Sequence, residues 1–130
     1  MKSNYRLLFV FFISIMALVA CGGNKVDETT AEQYKSKAEE VILLLNEQKY
    51  EEIYHLFDKT MKEQLPVEIM KKQITSVIEE SGSFENFNKS KIDEKDGYYV
   101  AVIVASYSEK NRVYTISFNQ QGEISGLFVK

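Results

Sequence analysis

Hydrophobic and polar positions along the chain follow three successive patterns. Leu7 to Ala20 is an unbroken apolar run in which Ser14 is the only polar side chain. From about Thr30 the apolar residues recur at helical spacing. Tyr34, Ala38, Val41, Ile42 and Leu45 form one stripe, with Glu32, Lys35, Glu39 and Glu40 mainly on other faces. Thr30 is a candidate N-cap, with Gln33 as its capping-box partner. A short second helix is predicted from about Tyr50, with Tyr50, Ile53, Tyr54, Phe57 and Met61 on one stripe. Pro66 suits the first turn of a third helix, where its missing N–H costs nothing. That helix buries Met70, Ile74, Val77 and Ile78, and Gly82 stops it. Beyond Gly82 the period becomes two. A strand is expected within Phe84 to Glu94, and Asp96-Gly97 is a hairpin signal. Tyr98 to Tyr107 is the clearest strand; Arg112 to Phe118 and Glu123 to Val129 follow after turns at Glu109–Asn111 and Gln121-Gly122. Runs this close together pair only as antiparallel neighbours. The pattern predicts an α+β domain, about three N-terminal helices packed on a four-stranded antiparallel meander.

The first apolar run is too short to span a bilayer, which needs ~20 residues. Preceded by Lys2 and Arg6, it matches the core of a cleavable export signal. Its end, Leu18-Val19-Ala20-Cys21, resembles the lipobox of bacterial lipoproteins. The resemblance implies cleavage between Ala20 and Cys21 and a diacylglyceryl group, with acyl chains such as palmitate, on the Cys21 thiol. Two acyl chains hold a protein stably where one binds only marginally, each buried methylene contributing ~0.8 kcal/mol. Cys21 is the only cysteine, so no internal disulfide can form, and lipidation accounts for a thiol that an exported chain would otherwise leave spare. The implied location is the outer face of the cell membrane, with the membrane as one partner. Residues 1–20 are then the signal and 21–30 the lipidated cysteine and a flexible tether. Residues 31–130 form the domain. A coil of ~9 residues would reach roughly 15–18 Å.

Charge and composition narrow the functional classes. Formal net charge is −3, and removing Lys2 and Arg6 with the signal takes it to −5. An acidic balance argues against a nucleic-acid partner, which calls for a basic patch. Arg6 and Arg112 are the only arginines against a majority of lysines, a bias that suggests an AT-rich, Gram-positive genome.

The helical half followed by a meander looks like the nuclear transport factor 2-like superfamily. More narrowly it resembles the bacterial family called domain of unknown function 3887. The residues carrying this are Leu43-Leu44-Leu45-Asn46 with Tyr50 and Phe57, then Leu65-Pro66, and a closing Gly122-x-Ile124-x-Gly126-Leu127-Phe128. The resemblance implies a curved sheet wrapped as a cone around the helices, often with an apolar cavity at the open end. Fold does not transfer function.

Candidate chemistry is sparse. His55, the only histidine, has Asp58 three residues on, a spacing that suits a carboxylate-oriented general base. Both fall beside or away from the stripe Tyr50-Ile53-Tyr54-Phe57, which favours an exposed pair. A metal site is not expected: zinc takes several His or Cys ligands, and Asp93, Glu94 and Asp96 lack calcium-loop spacing. There is no phosphate-cradling glycine loop, no G-x-S-x-G elbow and no Cys–His pair, and no cofactor is implied. The aromatic residues Tyr54, Tyr98, Tyr99, Tyr107, Tyr114 and Phe118 are the candidates for a pocket or interface. Adjacent Tyr98 and Tyr99 must face opposite sides of the sheet. The expectation is a non-catalytic binding or accessory module for a protein or small apolar ligand. The alternatives are a small cone-pocket enzyme using His55 or a buried carboxylate, and a homodimerisation module with the tyrosine-rich outer face as its interface.

Overall fold

Chain order in the computed structural model, which describes residues 24–130, runs strand, helices, then strands. The expected export signal, with Ala20 and Cys21, lies outside the described residues. The elements are β1 (Asn24–Lys25), α1 (Glu28–Asn46), α2 (Tyr50–Leu56), α3 (Lys59–Gln64), α4 (Val67–Ser81), β2 (Phe84–Lys95), β3 (Tyr98–Tyr107), β4 (Asn111–Phe118) and β5 (Ile124–Val129). The strands form one antiparallel sheet in the order β1-β2-β3-β4-β5.

The stripe on α1 is buried as its periodicity requires: Tyr34, Ala38, Val41, Ile42 and Leu45 all face the core. The helix starts earlier than Thr30, however. Asp27 is the N-cap and its Oδ2 accepts the Thr30 N–H at 3.1 Å. Hydrogen bonding from the Thr30 side chain, and after it this backbone bond, holds the Asp27 carboxyl below its usual range. Part of the expected tether is therefore ordered. Asn24 pairs with Glu94 and Lys25 with Asp93, adding a two-residue edge strand to the expected four.

The predicted second helix is two helices. Phe57 adopts an extended backbone (φ −71°, ψ 147°), and Asp58 then caps α3, its Oδ1 accepting the Met61 N–H at 2.8 Å. The break is stitched to the sheet: Asp58 N–H donates to the Ile124 carbonyl at 2.9 Å, beside a bridge between Phe57 and Ile124. An Asp at an N-cap position competes with helix continuation, and β5 supplies the partner that lets the break win. Phe57 and Met61 stay buried and Tyr54 is half-buried.

Pro66 is the N-cap of α4 rather than a residue of its first turn. The helix buries Met70, Ile74 and Ile78, ends in a fully buried Ser81, and leaves Val77 half-buried. Gly82 stops it with φ +83°, a conformation that favours glycine. In the sheet, the Asp96-Gly97 turn has positive φ at both residues, 53° and 84°, the type I′ signature of a two-residue hairpin. Two register irregularities in β2, between Phe84 and Asn86 and between Phe87 and Lys89, interrupt the ladder where such bulges bend a strand.

Alternation sorts the sheet into two faces. Ala101, Ile103, Ala105 and Tyr107 of β3 and Tyr114, Ile116 and Phe118 of β4 are buried against the helices. Val100, Val102 and Val104 with Val113 and Thr115 occupy the other face, half-exposed. Phe128, opposite Thr115, stands on that face at 69% exposure.

Candidate functional site: a buried tyrosine–asparagine–arginine cluster

The inner face of β3 and β4 brings Tyr107 and Tyr114 together beneath the C-terminal end of α1. The Tyr107 hydroxyl donates to Asn46 Oδ1 at 2.6 Å and lies 2.5 Å from the Tyr114 hydroxyl. A phenol has one proton to give. Tyr107 commits its proton to Asn46, so Tyr114 is the donor in the second bond, and the chain of donation runs Tyr114 to Tyr107 to Asn46. Tyr114 is fully buried. Asn46 Nδ2 is also buried, with no hydrogen-bond partner. Burial pushes the Tyr114 phenol far above its usual range, reinforced by its bond to Tyr107. Burial raises the Tyr107 phenol too, partly offset by the bond it accepts from Tyr114. Both rings stay neutral near neutral pH and serve as hydrogen-bond carriers, not as bases.

Arg112 enters from the start of β4. Its Nε donates to Ser81 Oγ at 2.7 Å and an Nη to the Val77 carbonyl at 3.2 Å. Ser81 Oγ itself donates to the Val77 carbonyl at 2.6 Å. A cation placed on the last carbonyls of α4 complements the helix dipole. The Arg112 side chain is 14% exposed, whereas Glu80, its ion-pair partner at 3.6 Å, is 68% exposed. The hydrogen bonds, not the pair, hold this arginine. Nearby, Tyr50 and Thr75 join α2 to α4 through their hydroxyls at 2.8 Å. A groove of about 420 Å³ opens where these helices begin, lined by Gln48, Lys49, Tyr50, Glu52, Val67 and Lys71 among others.

The remaining candidates are dispersed. Tyr99 stacks on Tyr34 with centroids 4.3 Å apart, and Phe118 tilts against Tyr34 at 5.3 Å. Tyr98 lies on the opposite face at 44% exposure, and Tyr54 packs beside Phe57 with Lys62 over its ring at 5.7 Å. The expected tyrosine-rich outer face is thus a valine–threonine face, because the phase of β3 and β4 turns Tyr99, Tyr107 and Tyr114 inward. His55 is exposed near the end of α2, and Asp58 spends a carboxylate oxygen on its cap. Among the described residues no hydrogen bond or ion pair joins the two. No three His, Cys, Asp or Glu side chains among the described residues stand together as metal ligands.

Asn46, Arg112 and Ser81 were not among the candidate site residues: Asn46 entered only through the Leu43-Leu44-Leu45-Asn46 resemblance, and Arg112 only as one of two arginines and the start of a strand. A signal existed for Arg112, which falls in phase with Tyr114, Ile116 and Phe118 and so belongs to the inner face. Asn46 carried none, since it follows the last position of the apolar stripe and its partner is 61 residues away.

The architecture defines a class: a small α+β domain whose helices precede, and cover one face of, an open antiparallel sheet. Residues 38–127 match the model of the family described as protein of unknown function (DUF3887), and the chain belongs to that family. No curated protein and no solved structure matches significantly.

Proposed function

We propose that this protein is an extracytoplasmic lipoprotein, anchored to the cell membrane through Cys21, whose domain is a non-catalytic binding or accessory module of nuclear transport factor 2-like shape. The observation that carries the reading is Leu18-Val19-Ala20-Cys21 at the end of a charged-then-apolar N-terminus. Two features of the domain are consistent with a module that binds rather than reacts. The inner sheet face is filled by Tyr107, Tyr114, Ile116 and Phe118, and the lone histidine is exposed, with the neighbouring carboxylate used as a cap. No described helix is long and apolar enough to cross a membrane, so on this reading attachment falls to the lipid. The test is radiolabelled palmitate incorporation and membrane fractionation of the wild type beside Cys21→Ser. Labelled, membrane-bound wild type and an unlabelled, unprocessed variant are expected. A variant that is still processed and retained at the membrane would refute the anchor.

One observation favours a second reading, in which two copies pair through the outer sheet face. Phe128 projects from a surface of Val100, Val102, Val104 and Thr115, and exposed apolar patches mark interaction sites. Sedimentation equilibrium tests it: a dimer that Phe128→Asp converts to monomer supports pairing, and a monomer at high concentration excludes it.

A further inference from the structure

We propose that β1 acts as a clamp that sets the domain's orientation on the bilayer. The end of the sheet carrying the β2–β3 and β4–β5 turns faces the lipid, with Tyr98 at headgroup level, and the opposite end points away. The proposal rests on the anchored-lipoprotein reading and adds to it a lipid-facing surface.

Three observations place that surface. First, only Gly22 and Gly23 separate Cys21 from Asn24 in sequence, so the two Cα atoms lie no more than ~11 Å apart even at full extension. Second, β1 is hydrogen-bonded into the sheet, Asn24 opposite Glu94 and Lys25 opposite Asp93. The anchor therefore enters at the sheet edge beside the Asp96-Gly97 turn, not through the longer free coil that residues 21–30 suggested. Third, the two turns stand side by side. Gln120 lies against Gly97, and a recess of about 260 Å³ is lined by Asp96, Gly97, Tyr98, Asn119, Gln120 and Gln121. Tyr98 closes the hairpin opposite Lys95 and is 44% exposed. An aromatic ring with a polar tip suits the membrane–water interface.

Charge does not provide the attraction. Lys25, Lys37 and Lys95 at this end are outweighed by Asp27, Glu28, Glu94, Asp96 and Glu123, and an acidic surface is not drawn to anionic lipid. Orientation then comes from the covalent geometry of a short tether, and is insensitive to salt. The distances are large enough to measure. From Tyr98 to Tyr107 β3 rises roughly 30 Å at ~3.3 Å per residue. The turn holding Glu109 is that much farther from the lipid than the turn holding Gln120.

The lipidated Cys21 is the chain's only cysteine, so in the processed protein a single introduced cysteine can be labelled selectively. Gln120→Cys and Glu109→Cys, both at exposed positions, would carry a fluorophore on protein reconstituted into phosphatidylcholine–phosphatidylglycerol vesicles containing a headgroup-linked quencher. Quenching several-fold stronger at position 120 than at 109, unchanged in high salt, is expected. A flexible glycine–serine insertion between Gly23 and Asn24 should erase most of the difference. Equal quenching at the two positions, or a difference that survives the insertion, would overturn the clamp. A mass measurement on the same sample separates the two claims. An unmodified Cys21 refutes the anchor itself, whereas a lipidated Cys21 with equal quenching refutes only the orientation.

Discussion

Removing the Tyr107 hydroxyl tests the donation order in the buried cluster. Tyr107→Phe keeps the ring and its edge contact with Phe84, 5.6 Å between centroids, so the packing change is small. What is lost is one bond to Asn46 at 2.6 Å and one from Tyr114 at 2.5 Å. The fully buried Tyr114 hydroxyl and the Asn46 carbonyl are both left without partners. An orphaned buried polar group costs about 1–3 kcal/mol, so with two of them the variant should lose roughly 2–6 kcal/mol. Tyr114→Phe is milder. Tyr107 still donates to Asn46, only one bond disappears, and the loss should be about 0.5–1.5 kcal/mol. The double variant removes the orphaned Tyr114 hydroxyl along with its acceptor, leaving Asn46 alone unsatisfied. It should therefore be no less stable than Tyr107→Phe, so the two single losses fall short of additive by at least the Tyr114→Phe loss, about 0.5–1.5 kcal/mol, as expected for groups in one network. Urea unfolding followed by circular dichroism measures all four proteins, and thermal midpoints should move about 4–8 °C per kcal/mol for a domain of this size. Additive losses, or a Tyr114→Phe loss as large as that of Tyr107→Phe, would refute the order Tyr114 to Tyr107 to Asn46.

Three further outcomes follow from the same geometry. Because burial raises the Tyr114 phenol, the folded state keeps a proton that the unfolded chain releases above pH ~10. Stability is therefore unaffected below that pH and falls as pH rises beyond it, by about 1.4 kcal/mol per pH unit while this phenol stays protonated; phenolate absorbance should appear together with unfolding rather than before it. Arg112→Met removes two charge-assisted bonds at the end of α4 and should cost about 1.5–3 kcal/mol for each, whereas Glu80→Gln, which loses only a partner exposed to solvent, should cost about 0–1 kcal/mol; comparable losses in chemical denaturation would contradict the assignment. His55→Ala should leave stability within about 0.5 kcal/mol while Asp58→Ala loses about 0.5–2 kcal/mol through its cap, and a coupling between the two in a double-variant cycle would reinstate them as a functional pair.

Much of the architecture was legible along the chain because burial imposes a period. The α1 stripe, the alternation of β3 and β4, the Asp96-Gly97 turn and the Gly82 stop each depend on neighbours a few residues apart, and each is legible without any tertiary contact. The Leu18-Val19-Ala20-Cys21 motif is equally local, and the proposed anchor rests on it alone. Long-range partners decided the rest. Phe57 leaves the helix because β5 is there to accept Asp58, a bond reaching from residue 58 to 124. Asn24 and Lys25 have no strand period of their own and become a strand only because the edge of β2 is open. Asn46, Ser81 and Arg112 acquire roles from groups that the fold brings to them across 31 to 61 residues. Spacing says which face a side chain occupies. Only the folded chain decides which polar atom meets which, since a hydrogen bond depends on ångströms that no local period encodes.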